Sequence, residues 1–395
     1  MKLEFPKNFL WGSATSAHQV EGGNHNDWTE WEKTTGHELS GRACDHYNRF
    51  REDFDIAKSL NQNAHRFSIE WSRIEPEEGK WNEKEIQHYQ EVIDALRERG
   101  IEPFVTLWHW TNPVWIRDIG GWENPKTADY FVRYVEKAVR SLSGVKFYTT
   151  HNEQEAFARH GYFLKDRPPA KGNFFTAYKV LKNLKISHKL AYQVIKKFNP
   201  NLQVGFSESL VYFEPYNFWP HNILLMKLVK WWRNNTFFDE FAKYSDFLGL
   251  QYYFHSRIRL NPFISQWGIQ FNENKEVSDM GWEIYPEGIY HVLKDLAKYN
   301  KPIYITENGV ADAKDIHREK FIKEHLKWVH KAISEGVDVR GYFYWSLLDN
   351  FEWQLGFWPR FGLVEMDYQT MERNIRQSAW EYAKIAKENA VETGG

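Results

Sequence analysis

A single cysteine, Cys44, stands among 395 residues, which excludes an intrachain disulfide and any thiolate metal cluster. The residue reads as a small buried hydrophobe, and such sparing use of cysteine suits a reducing compartment, so a cytoplasmic location is expected. Charge of one sign is also lacking: 51 Lys and Arg offset 53 Asp and Glu along the chain. No broad basic face is then available for a polyanion, and nucleic acid is not an expected partner. Every apolar stretch is interrupted by charge before the roughly 18 residues a membrane span needs, and the opening Met1-Lys2-Leu3-Glu4-Phe5-Pro6 is too polar for a secretory signal. No membrane partner is expected. No glycine-rich phosphate turn follows an early apolar run, which argues against a doubly wound nucleotide-binding sheet. His18, His151, His160 and His325 fall at no metal-ligand spacing, and each reads as a structural histidine. No metal is expected.

Aromatic residues are abundant: 19 Trp, 21 Tyr and 28 Phe make 17% of the chain. Most such rings serve as core. Several tryptophans, however, lie beside polar residues, as in Trp108-His109-Trp110, Trp345-Ser346 and Glu352-Trp353. A flat apolar face next to hydrogen-bonding groups suits a sugar ring better than an apolar ligand.

Short apolar or β-branched runs recur at Phe9 to Ala14, Ala64 to Ile69, Pro103 to Leu107, Val145 to Thr150, Gln203 to Ser207, Phe247 to Tyr252, Pro302 to Thr306 and Gly341 to Ser346. Between them lie segments with apolar residues every three or four positions; Tyr89 to Arg97, stopped by Gly100, is the clearest. Strand and helix alternating eight times predict an α/β fold, a single (β/α)8 TIM barrel with its active site at the C-terminal ends of the strands. One catalytic domain over residues 1–395 is expected, with about 388–395 as a disordered tail.

The polar residues just beyond these runs carry the chemistry. Thr150-His151-Asn152-Glu153 closes the fourth and Thr306-Glu307-Asn308 the seventh. Either glutamate alone would read as readily as a solvated surface charge. As a pair facing across a barrel mouth they are what glycosidic bond cleavage requires, one acid and one nucleophile or base. Gln19, Arg66, His109, Trp110, Asn152, Gln251, Tyr253, Trp345, Glu352 and Trp353 gather at the same strand ends.

With these residues in view the chain resembles the family 1 glycoside hydrolases, the β-glucosidase and β-galactosidase family, from about residue 5 to 386. The resemblance rests on Phe9-Leu10-Trp11-Gly12-Ser13-Ala14-Thr15-Ser16-Ala17-His18-Gln19-Val20-Glu21-Gly22, Arg66-Phe67-Ser68-Ile69-Glu70-Trp71-Ser72-Arg73-Ile74, Leu107-Trp108-His109-Trp110 and Gly120-Gly121-Trp122. It continues through Ile305-Thr306-Glu307-Asn308-Gly309, the run from Gly341 to Trp353, and Arg360-Phe361-Gly362-Leu363-Val364. It implies a retaining, exo-acting β-glycosidase that forms a covalent glycosyl-enzyme intermediate, with Glu307 as nucleophile and Glu153 as acid/base.

The same resemblance implies that Gln19, His109, Trp110, Asn152, Glu352, Trp353 and Phe361 bind the sugar, that Trp345 is its stacking floor and that Trp282 walls the aglycone side. Arg66 and Tyr253 would hold Glu307 ionised, with a structural ion pair and simple packing as the alternatives for each. Glu153 has no obvious adjacent cation. The resemblance implies no cofactor, and its implied partner is a β-glycoside or short oligosaccharide; the oligomeric state is left open. Relatives acting on 6-phosphorylated sugars replace the pair Glu352-Trp353, and no Lys lies between Trp353 and Phe361, which favours unphosphorylated β-glucosides. Three features depart from the family pattern. Gln154 stands for a proline, Gln251 for an asparagine, and the stretches from Gly205 to Tyr244 and from Glu307 to His325 are short. They motivate one alternative, a carbohydrate-binding barrel with impaired turnover; a transglycosylase, passing the sugar from the same intermediate to an acceptor other than water, is a second.

Overall fold

The computed structural model describes residues 2–235, 238–260 and 272–392. Eight parallel strands close into a barrel in chain order: β1 (Leu10–Ala14), β2 (Ala64–Ser68), β3 (Glu102–Thr106), β4 (Phe147–Asn152), β5 (Gln203–Pro215), β6 (Phe247–Ile258), β7 (Ile303–Asn308) and β8 (Val339–Trp345). β8 pairs back onto β1, from Leu10 with Gly341 to Ala14 with Trp345. The (β/α)8 fold expected from the sequence is therefore the one observed.

The helices between strands follow from local chemistry. The helix Glu83–Glu98 starts at Asn82, whose side chain accepts the backbone N–H of Lys84, and Gly100 lies just beyond its end at φ +68°. Ile86, Tyr89, Val92, Ile93 and Leu96 recur at helical spacing and are buried against the barrel. Each such side chain stabilises the layer by about 1.5–3 kcal/mol. Inside the barrel Phe104, Phe147, Phe247, Tyr304 and Phe343 interlock, with Phe104 centred 5.1 Å from Phe147, 5.1 Å from Phe247 and 5.2 Å from Phe343. These rings fill the barrel interior on the N-terminal side of Glu307.

Two features differ from the sequence expectation. β5 and β6 run well past Ser207 and Tyr252, because Leu210-Val211-Tyr212-Phe213 and Tyr253-Phe254 continue the aromatic and β-branched pattern. After a register shift between Ser209 and Val211 they stay paired to Pro215 and Ile258, forming an arm above the rim. Val211, Phe213 and Ile258 on this arm are covered by Leu225, Met226 and Val229 of the helix Pro220–Lys230. The second difference concerns the expected tail. Ala390–Glu392 is a strand, antiparallel to Lys2–Glu4, with Ala390 and Val391 buried; pairing with a distant segment orders residues that look featureless in isolation. Residues 393–395 lie outside the described residues. Among the described residues no helix is long and apolar enough to cross a membrane.

Candidate active site

β4 and β7 deliver the two carboxylates. Glu153 follows the last residue of β4 and turns into the helix Gln154–Ala158 at φ 44°, ψ 60°, its N–H donating to the Ser207 carbonyl at 2.8 Å. Trp110 and Trp353 also adopt positive φ, 77° and 53°. Non-glycine residues held there cost of order 1–3 kcal/mol each, and such strain concentrates where side chains must be aimed. Three of the sequence-derived site residues are thus aimed by unfavourable backbone.

Glu307, the last residue but one of β7, pairs with Gln251 of β6. Its Oε1 accepts from Arg66 Nη1, and its Oε2 accepts from the Tyr253 hydroxyl at 2.8 Å. Burial raises the Glu307 carboxyl above its ordinary range, while the guanidinium of Arg66 and the two hydrogen bonds pull it back down. Glu153 receives no comparable donor. Burial first, and the nearby charge of Glu307 second, push it up to about 8. Two like carboxyls are therefore separated by their surroundings, with Glu307 the one built to carry the negative charge.

Asn152 knits the floor of the site. Its Oδ1 accepts from Arg66 Nη2 at 2.5 Å and from Gln251 Nε2 at 2.7 Å, and its amide nitrogen lies 3.1 Å from His109 Nε2. The longer Gln251 side chain thus remains tied to Asn152. Among the described residues, buried Gln251 Oε1 and His109 Nδ1 have no partner, and buried polar atoms without one call for a ligand or water. Gln19, in the short helix Ala17–Val20, donates through Nε2 to the carbonyl of Phe351 at 2.9 Å and to Glu352 Oε2 at 3.4 Å. Burial raises Glu352 to about 7, opposed by the charge of Arg167.

The aromatic residues form two walls. Trp110 lies 4.6 Å from Trp353, and His109 stacks between Trp353 at 5.9 Å and Trp345 at 6.2 Å. On the other side Trp282 meets Tyr253 and Phe361, each at 6.1 Å. All of the residues expected at the site from sequence lie on this one rim.

Sequence reasoning missed Arg167 and Glu208. Arg167 lies over the Trp110 ring at 4.6 Å, and its charge lowers both Glu153 and Glu352, so the expectation of a Glu153 without a neighbouring cation is corrected. A basic residue within the proline-rich mouth loop Arg167-Pro168-Pro169 was the available signal. Glu208 lies on β5, one residue beyond the expected end of that strand, where it accepts from the N–H of Glu155 and stands in the field of Glu153. Among the histidines, His18 pairs with Glu32 at 2.9 Å, His151 meets Ser187 at 3.0 Å, His160 pairs with Asp166 at 2.9 Å and His325 bonds the Phe321 carbonyl at 2.8 Å. Cys44 is buried, its thiol donating to the Asp349 carbonyl.

A parallel barrel with two facing carboxylates in unlike environments, bordered by tryptophans and hydroxyl-matching polar groups, defines a sugar-cleaving class of site. A family profile described as glycosyl hydrolase family 1 matches residues 1–245 and 238–391. The chain belongs to glycosyl hydrolase family 1. It is 35% identical to the β-glucosidase A of Acetivibrio thermocellus, covering 98% of this chain and 99% of that protein. The 444 aligned positions exceed the 395 residues present, so that relative carries insertions this chain lacks. A β-glycosidase from Pyrococcus horikoshii superposes with a TM-score of 0.93 at 39% identity, covering 100% of this chain and 97% of that one. A Thermotoga maritima family 1 glycoside hydrolase complexed with a cyclophellitol analogue transition state mimic superposes at 0.93 and 33% identity, over 99% and 100% of the two chains.

Proposed function

We propose that this chain is a retaining, exo-acting hydrolase of unphosphorylated β-D-glycosides, β-glucosides first among them. The observation that carries the reading is the asymmetry of the two carboxyls: Glu307 held by Arg66 and Tyr253, Glu153 raised to about 8. In the first step the Glu307 carboxylate attacks the anomeric carbon while Glu153 gives its proton to the departing glycosidic oxygen. The ester that forms consumes the charge on Glu307. With it goes the repulsion that helped to raise Glu153, which is now the carboxylate that accepts a proton from water. That water attacks the anomeric carbon, releases the sugar and restores Glu307.

Around this pair, Gln19, His109, Trp110, Asn152, Glu352, Trp353 and Phe361 bind the glycone, Trp345 forms its floor and Trp282 borders the aglycone. Gln251 supports the site through Asn152. A preference for neutral sugars is supported by Arg360, the one cation between Trp353 and Phe361, which donates to the Met366 carbonyl at 2.9 Å and pairs with Asp349. Family relatives include a β-galactosidase from Pyrococcus woesei, and galactosides are the second glycone to test. We place the enzyme in the cytoplasm, on the evidence of its single, buried cysteine.

A panel of nitrophenyl β-D-glycosides assayed on wild type and Glu307→Gln tests the reading. Turnover of the glucoside by wild type, and its loss in the variant, are expected. Absence of turnover on every sugar would refute hydrolysis, and undiminished activity in the variant would remove Glu307 as nucleophile.

A further inference from the structure

The helix Pro220–Lys230 has apolar residues on both of its sides. Leu225, Met226 and Val229 face inward and cover the arm of β5 and β6. The opposite side carries Leu224 and Leu228, 61% and 54% exposed, and the chain enters the helix through Phe218 and Trp219 at 87% and 63%. Helices apolar all round are normally enclosed; this one presents its outer stripe to solvent. On the helix Phe174–Phe198, Phe175 is 80% exposed. Phe174 stacks on Trp232 at 5.3 Å, which ties the two elements together.

These segments are rich in cations, some of them held by acids from other elements, as Lys171 is by Glu123 and Lys196 by Asp246. From residue 171 to 207 the sequence holds seven lysines and neither Asp nor Glu, and from 215 to 238 it holds Lys227, Lys230 and Arg233, again without an acid. Lys230 and Arg233 are engaged by Asp295 and Glu155. Lys179, Lys182 and Lys227 are exposed.

We propose that this face docks on an anionic lipid bilayer. Exposed Trp, Phe and Leu rimmed by lysines are the composition of helices that lie in a membrane interface, where rings sit at headgroup depth and cations meet anionic lipid. Each lysine near such a surface strengthens binding about fivefold. A second copy of this chain fits less well, since pairing the face with itself sets the exposed Lys179, Lys182 and Lys227 against one another. The expectation of no membrane partner was drawn from the lack of a spanning segment, and an interfacial helix needs none.

Docking would set the catalytic mouth beside the lipid. The arm beneath the helix rises from the rim that carries Glu153 and Glu307, and its Phe254 lies 4.6 Å from Trp282.

Co-sedimentation with vesicles of phosphatidylcholine and phosphatidylglycerol, against phosphatidylcholine alone, tests the proposal. Wild type should pellet with the anionic vesicles and be released by salt. The combined variant Trp219→Ser/Leu224→Ser/Leu228→Ser should bind at least tenfold more weakly while hydrolysing a soluble nitrophenyl glycoside as wild type does, which shows that it has folded. Lys179→Glu/Lys182→Glu/Lys227→Glu should lose binding and its salt dependence. Failure of wild type to pellet, or variants that bind as wild type does, would overturn the proposal. So would a dimer that dissociates in the serine variant without any lipid binding by wild type.

Discussion

Replacing Tyr253 by Phe removes one hydroxyl and leaves the ring that meets Trp282 and Phe361. The lost hydroxyl donates to Glu307 Oε2 at 2.8 Å. Burial first, and the charge of Glu307 second, push its own ionisation far above the usual phenol range, so it remains a donor at every working pH. A hydrogen bond to a charged group contributes about 1.5–3 kcal/mol, and one pKa unit corresponds to about 1.36 kcal/mol. Without the donor, ionised Glu307 should therefore be harder to form by about one to two units. The sign follows directly: the bond stabilises the carboxylate, so its loss raises the Glu307 pKa and moves the acid limb of kcat/KM upward. The alkaline limb belongs to Glu153, raised to about 8 by burial and by Glu307, and should move little. Profiles of kcat/KM against pH on nitrophenyl β-D-glucoside for wild type and Tyr253→Phe would show the bell narrowing from its acid side. An unmoved acid limb, or two limbs shifted in parallel, would refute the assignment of Tyr253 as the donor that holds Glu307 ionised.

Loss of the acid in Glu153→Ala should lower kcat/KM by about 10²–10⁴ on alkyl glycosides and far less on nitrophenyl glycosides, whose leaving group needs little protonation; equal losses on both would count against proton donation. In Glu153→Gln stability should change with pH in a defined direction. The folded carboxyl binds its proton up to about pH 8, against an ordinary value of 4.5, so its favourable contribution is complete below pH 4.5 and drains away as pH rises toward 8. The variant should match wild type near pH 4.5 and exceed it by about 1–3 kcal/mol near pH 8, discounted for water access; a gap that closes as pH rises in urea titrations would contradict this. Phe104→Ala opens a cavity among Phe147, Phe247, Tyr304 and Phe343 and should cost about 3–5 kcal/mol in chemical denaturation. Gly309→Ala would place a Cβ 1.8 Å from the Trp345 carbonyl oxygen. It should displace the floor of the site, and activity should fall in the glucoside assay even where the fold survives.

Much of the site was legible in sequence because barrel geometry maps strand ends onto one rim: a polar residue following an apolar run is placed by counting. Glu153, Glu307, Asn152 and Trp345 are of this kind. Glu208 was not, because deciding where β5 ends depends on its pairing with β6, and the run was closed one residue short of it. The strand Ala390–Glu392 escaped for a related reason, since its order comes from Lys2–Glu4 at the far end of the chain.

The sequence by itself determined the alternation of eight strands and helices, the location of the two carboxylates and the identity of the groups around them. Periodicity and residue type are local properties, and they survive in a linear string. Only the tertiary structure shows how the surroundings of the two glutamates differ, because Arg66 and Tyr253 reach Glu307 from strands 241 and 54 residues away while Arg167 enters the field of Glu153 from a mouth loop. It also decided that Leu224 and Leu228 on the outer side of Pro220–Lys230 are exposed. Ionisation and exposure are set by what surrounds a group in space, and those surroundings are assembled from distant parts of the chain.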